Sequence, residues 1–231
     1  MNYGKKNLNF KEKKMKNGSF ICFDGTDKSG KSTIISLLKE EFEKNKNFIF
    51  TREPGSEHLN LCSEIRSLVK NKDYDRSDNA ELLLFMADRA NHFDKIIIPN
   101  LEEGKTIITD RCYYSTFAYQ IYAKNKGIQN IDNFNFLNNF ATHRICPDLT
   151  FFFYTSYEEY LRRGGGGDKK DQFEKNGEKF FNEIKKAYLV MYNESLDNKK
   201  ENIHLYNTED YSIEDLKKSV IYTLFKFSEK R

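Results

Sequence analysis

The chain has 231 residues, 38% hydrophobic and 15% aromatic, and its 38 basic side chains face 35 acidic ones for a net charge of +3. That is enough for one good core, too poor in glycine and proline (12 and 3) for a fibrous or disordered chain, and too evenly charged for a dedicated nucleic-acid or membrane binder. Strand-sized apolar runs, no apolar leader, and scattered cysteines (Cys22, Cys62, Cys112, Cys146) and histidines (His58, His92, His143, His204) argue against a membrane span, secretion, disulfides and a zinc site. The expectation is a globular protein of the reducing cytoplasm.

Residues 1–18 are rich in lysine and asparagine without apolar periodicity, and read as a flexible tail. From Ser19 the pattern becomes short apolar runs alternating with helix-length segments. The predicted strands are Phe20–Asp24, Phe48–Thr51, Thr106–Asp110, Thr150–Tyr154 and Ile203–Tyr206. The predicted helices are Lys31–Asn45, Glu57–Lys70, Asp78–Asn100, Asp132–His143, Tyr157–Arg163, Glu178–Asn193 and Ile213–Phe227. Asp78 with Glu81 offers a cap for the third of these. Strand runs such as Phe20–Phe23 and Phe151–Tyr154 are apolar at every position, as strands covered on both faces are. Alternating β and α units predict an α/β fold, a parallel sheet with helices on both sides. No linker or repeat interrupts residues 19–231, so one domain is expected, with a glycine-rich lid at about 162–175.

The sharpest motif is Gly25-Thr26-Asp27-Lys28-Ser29-Gly30-Lys31-Ser32, followed by Thr33. Its spacing is that of the phosphate-binding P-loop. Glycines allow successive backbone N–H groups to turn inward on phosphate oxygens, and the helix that follows presents its positive end to the same anion. Lys31 can reach the β- and γ-phosphates, and the Ser32 hydroxyl can ligate Mg²⁺. An apolar strand enters the loop and an amphipathic helix leaves it, so the chain is read as a P-loop NTPase fold that binds ATP. The guanine-reading NKxD element is missing.

Further segments bear on the acceptor: Thr51-Arg52-Glu53-Pro54-Gly55, Ser63-Glu64-Ile65-Arg66, Phe85-Met86-Ala87-Asp88-Arg89, Asp110-Arg111, and Ser115-Thr116-Phe117-Ala118-Tyr119-Gln120. In this order and spacing the chain from Ser19 onward resembles the thymidylate kinases, the bacterial branch especially. The resemblance implies ATP-dependent phosphorylation of dTMP to dTDP, with Mg²⁺, in a homodimer. It implies that Phe85 stacks on thymine, Arg89 hydrogen-bonds the base, and Tyr119 disfavours a ribose 2′-hydroxyl. Arg111 is expected to hold phosphate between donor and acceptor, Arg66 to hold the acceptor phosphate, and Glu53 and Pro54 to frame the site. Ser115, Thr116 and Gln120 join the acceptor side. Asp24 and Asp27 are candidates to organise Mg²⁺, with Ser32 and Asp24 as its ligands. Kinases of another acceptor such as dUMP, and a non-catalytic nucleotide-binding switch, are the alternatives.

The sequence departs from that pattern at the lid, where Gly164–Gly167 occupy the centre and leave Arg162, Arg163, Lys169 and Lys170 at its edges. Arg163 is expected to contact the nucleotide. Lys28, inside the P-loop, is expected to supply the cation that the glycines cannot.

Overall fold

The computed structural model describes residues 18–71, 73–124, 128–165, 177–198 and 202–229, with the backbone alone at 128–130 and 197–198. The expected tail, apart from Gly18, and the lid beyond residue 165 lie outside the described residues. Five strands, β1 (Ser19–Gly25), β2 (Phe48–Arg52), β3 (Thr106–Asp110), β4 (Leu149–Tyr154) and β5 (Ile203–Asn207), form one parallel sheet in the order β2-β3-β1-β4-β5. β1 is central, pairing with β3 on one side and β4 on the other. The α/β architecture is the one expected.

Side chains alternate across β1 and β4, and both faces are covered. Phe20, Cys22 and Phe152 point to one layer, where they meet Phe93, Ile97, Ile184 and Tyr188. Ile21, Phe23, Phe151 and Phe153 point to the other, against Ile34 and Leu38 of α1 (Lys31–Phe42) and Leu216, Val220 and Leu224 of α9 (Ile213–Glu229). This two-sided burial is why these strands read as unbroken apolar runs.

The connecting helices are α2 (Asn60–Lys70), α3 (Asp78–His92), α4 (Ile98–Glu102), α5 (Tyr113–Thr116), α6 (Ile128–Ala141), α7 (Tyr157–Arg162) and α8 (Gly177–Asn198). Three details differ from expectation. The cap of α3 is Ser77, whose side chain accepts from Ala80 N at 3.3 Å, so Asp78 is the first helical residue instead. The predicted helix Asp78–Asn100 is interrupted by a π turn at Phe93–Ile97. Pro99 has no N–H to offer the Lys95 carbonyl, and the widened turn carries the chain past that gap. Finally, Tyr113–Thr116 and the π turn Phe117–Tyr122 were not foreseen as helical. The segment is short, aromatic and uncapped, so only packing against α8 makes it a helix.

Candidate active site

One cavity of about 760 Å³ opens at the C-terminal ends of β1, β2 and β3. Open parallel sheets place ligands there because the loops and helix starts converge at that edge.

The donor end is the P-loop between β1 and α1. Gly25 has φ 137°, and a Cβ on it would stand 1.8 Å from the Phe153 carbonyl oxygen, so no other residue fits beside β4. Lys28 takes a left-handed φ of 57°, which turns the loop back on itself. Lys31 Nζ donates to Thr26 O at 2.6 Å and Gly25 O at 3.2 Å. Burial, then the nearby Arg111 charge, lowers its pKa to about 8. Gly30, Ser32 and Thr33 line the cavity, while Gly25 and Thr26 form the wall behind it, Thr26 being fully buried.

The metal expectation needs a correction. Asp24 is fully buried, and its two oxygens accept from the backbone N–H groups of Gly25, Cys112 and Ser115, the Ser115 and Tyr188 hydroxyls, and Arg111. No lone pair is left to face a cation, so Asp24 is a framing residue. Asp110 stands at the end of β3. Its Oδ2 accepts from Ser32 Oγ at 2.9 Å, and its Oδ1 is buried without a partner. A hydroxyl and an unsatisfied carboxylate side by side at the phosphate end are hard oxygen donors, and they fit Mg²⁺.

Arg111 is the hinge between the two ends. It has φ 71°, a costly conformation for a non-glycine residue, held by many bonds. Its Nη1 donates to Gly25 O at 3.0 Å and Ser115 Oγ at 2.6 Å, and its Nη2 pairs with Asp27. Asp27 Oδ2 accepts from the Tyr119 hydroxyl at 2.9 Å, and the Tyr119 ring lies against the Arg111 guanidinium, 5.5 Å from centroid to carbon. Burial would raise the Asp27 carboxyl, but Arg111 and Lys31 hold it below its usual range.

The acceptor end is lined by cations and one aromatic face. Arg66 donates to Pro54 O at 2.7 Å and Arg52 to Gly55 O at 3.0 Å. Burial first, then the Arg52 and Arg111 charges, lowers the Arg66 pKa. Phe85 packs on Ile65 and Val69 of α2 and presents its remaining surface to the cavity. Arg89, one helical turn on, is 2% exposed and donates through Nε to Glu53, through Nη1 to Asn138 and through Nη2 to Thr116. Gln120 lines the cavity and donates to Glu81 at 3.2 Å. Ser115, expected to bind substrate, lines the cavity, and its hydroxyl is bonded to Asp24, Arg111 and Tyr188.

Beyond the expected residues, the cavity includes Arg52, Lys70 and Asp110, and at its donor end Thr208, Tyr211, Ile213 and Leu216. Arg52 and Asp110 stood inside segments already singled out. The stretch Thr208–Leu216 carries no motif in the sequence. Arg163 closes this end: Nη1 donates to Lys28 O and to Thr208 Oγ1, both at 3.1 Å.

The family model for thymidylate kinase matches residues 23–220. The chain is 36% identical to the thymidylate kinase of Mycoplasma mobile over 177 residues, 75% of this chain and 83% of that one. It is 38% identical to that of Thermosipho melanesiensis over 171 residues, 74% of this chain and 82% of the relative. The crystal structure of thymidylate kinase from Ehrlichia chaffeensis superposes with a TM-score of 0.67 at 27% identity, covering 90% of this chain and 99% of that one. With a P-loop, an arginine-lined acceptor end and Arg111 between them in one cavity, the chain belongs to the thymidylate kinase family.

Proposed function

We propose that the protein transfers the γ-phosphoryl group of ATP to dTMP, forming dTDP and ADP in the supply of dTTP. The observation that carries this reading is a single cavity with the P-loop at one end, Arg52 and Arg66 at the other, and Arg111 reaching both. A phosphate oxygen of dTMP attacks the γ-phosphorus as the bond to the β–γ bridging oxygen breaks. The nucleophile is already anionic, so no general base is required, and positioning with charge neutralisation carries the rate. Lys31 and the P-loop N–H groups hold the donor phosphates. Arg111 leaves Asp27 in part to orient the incoming phosphate, with Arg66 and Arg52 behind it. Ser32 and Asp110 would hold Mg²⁺, which would neutralise charge on the donor phosphates.

At the acceptor base, Phe85 supplies a stacking face. Arg89 commits four of its five N–H groups to Glu53, Asn138, Met86 and Thr116, which leaves one on Nη2 for a base carbonyl. Tyr119, fixed by Asp27 and Arg111, crowds the sugar. ATP fits the donor end, where Arg163, Tyr211 and Ile213 flank the space for the base. A dUMP kinase or a non-catalytic switch finds no support in the family to which the chain belongs. The exposed Leu83 of α3 and Phe136 and Phe140 of α6 favour a homodimer through that face, which sedimentation would test. The buried free cysteines Cys22, Cys62 and Cys112 suit a reducing compartment, the cytoplasm, and no described helix is long and apolar enough to cross a membrane. The deciding assay is ADP release from ATP and Mg²⁺ with dTMP, dUMP, dCMP and AMP in turn. Equal rates with all four would refute the assignment.

A further inference from the structure

Behind the acceptor end of the cavity, buried polar side chains connect β2 to α3. Glu53 Oε2 accepts from Arg89 Nε at 2.9 Å, and Glu53 Oε1 accepts from His92 Nδ1 at 3.0 Å. His92 Nε2 meets Thr51 Oγ1 at 2.8 Å, and that hydroxyl meets Ser56 Oγ at 3.0 Å. His92 is 0% exposed and Glu53 4%, so water takes no part in holding them.

The proton directions follow from the carboxylate. Burial would raise the Glu53 carboxyl, but Arg89 and His92 hold it below its usual range, so it is ionised and only accepts. His92 Nδ1 therefore carries a proton. Nε2 can accept from or donate to Thr51, because the Thr51 and Ser56 hydroxyls reorient together and leave every member paired.

The unusual feature is what Arg89 and Glu53 do not do. A guanidinium edge has two parallel N–H groups, on Nε and Nη2, that match both oxygens of a carboxylate in a bidentate pair. Here only Nε meets Glu53, and His92 occupies the other oxygen. Nη2 is left to donate to Thr116 Oγ1 at 2.9 Å, on the cavity side.

We propose that His92 is a positioning residue for base recognition: by occupying Glu53 Oε1 it prevents a bidentate Glu53–Arg89 pair and keeps Arg89 Nη2 turned toward Thr116 and the acceptor base. The proposal rests on Arg89 contacting the base, as read above. His92 itself is buried behind Glu53 and touches no substrate. Thymine offers a carbonyl acceptor at the position where cytosine carries an amino donor, so a fixed N–H from Arg89 selects dTMP over dCMP.

Two substitutions separate the halves of the imidazole. His92→Asn keeps an N–H donor near the place of Nδ1 and gives up the contact with Thr51. His92→Gln reaches the place of Nε2 and gives up the contact with Glu53. Both keep a polar side chain, so both are expected to fold, with similar melting temperatures. In His92→Gln the KM for dTMP should rise about tenfold, and kcat/KM for dTMP relative to dCMP should fall about tenfold, the value of one hydrogen bond. The KM for ATP should stay within about twofold in the same variant, since the donor end holds none of these groups. His92→Asn should retain most of the selectivity. If both variants lose melting temperature and neither loses selectivity, His92 is structural only and the proposal fails. If both lose selectivity equally, the Glu53 contact is not what matters, and it fails again. A wild-type protein that does not prefer dTMP to dCMP would instead remove the reading of Arg89 beneath it.

Discussion

Ser32 Oγ donates to Asp110 Oδ2 at 2.9 Å across 78 positions of sequence, tying the start of α1 to the end of β3. Asp110 Oδ1 is buried beside it without a hydrogen-bond partner, so two hard oxygen donors lie together. Asp24, a few residues before Ser32, has its oxygens committed to the protein itself. The two carboxylates should therefore fail differently.

Asp110→Asn is expected to raise the Mg²⁺ concentration for half-maximal activity by about tenfold, at little cost in stability. Asp24→Asn removes a charge from several buried hydrogen bonds, which should cost about 2 kcal/mol and lower Tm by roughly 4–8 °C. Mg²⁺ titrations and thermal melts of both variants check this. A Mg²⁺ shift confined to Asp24→Asn would restore Asp24 as the ligand.

Lys31→Ala should cut kcat by about 10²–10³, the usual cost of losing a preorganised transition-state charge. It should not destabilise the free protein, because burial already depresses the Lys31 pKa to about 8. The amine is unwelcome as a cation in the folded state until phosphates arrive. Steady-state rates together with melting curves test both halves.

Phe85→Ala should weaken dTMP binding by roughly tenfold or more, since base stacking on an aromatic ring is worth about 1–3 kcal/mol. Phe85 also packs on Ile65 and Val69, so Phe85→Leu, which keeps apolar volume without a flat face, is the better control. Calorimetry with dTMP should show similar losses for both. Normal affinity in Phe85→Leu would reduce Phe85 to a core residue.

Lys28 combines an exposed side chain with φ 57°, a conformation that glycine adopts freely. Lys28→Gly is expected to leave Tm unchanged or raised while turnover falls by tenfold or more, about 1.4 kcal/mol of lost charge stabilisation. Neutralising Lys169 and Lys170 in the lid should cost less. A crippled lid variant beside an unimpaired Lys28→Gly would move the cation to the lid.

Asp88 carries a pH dependence. Burial, then the Glu53 charge, raises its pKa to about 6, while Gly55 N donates to its Oδ1 at 2.9 Å. A carboxyl whose folded pKa lies above its unfolded value of 3.8 binds its proton more tightly when folded. Stability from this group is thus present below the unfolded pKa and lost as pH rises through about 6. Asp88→Asn, still able to accept from Gly55, should be more stable than wild type at pH 7.5 by about 3 kcal/mol and little different at pH 4. Denaturant melts at the two pH values decide it; equal differences at both would show that Asp88 does not titrate as described.

Local signals in the sequence were enough for the strands and the P-loop. Phe20–Phe23 of β1 and Phe151–Tyr154 of β4 are unbroken apolar runs because both faces are covered, and such runs are visible without coordinates. Gly25, Gly30 and Lys31 are spaced by the needs of a loop around phosphate, and that spacing is short-range. What only tertiary structure decided are choices among residues of the same chemical type. Nothing local distinguishes Asp24 from Asp110 as a metal carboxylate; the difference is that five backbone and side-chain groups besides Arg111 converge on one and leave an oxygen of the other bare. The same holds for His92, whose ring meets Glu53 and Thr51 across some forty positions, and for the donor wall at Thr208–Leu216, which has no motif at all. Spacing along a chain records contacts made within a loop or a helical turn, whereas contacts between distant strands and helices exist only once the sheet has brought them together.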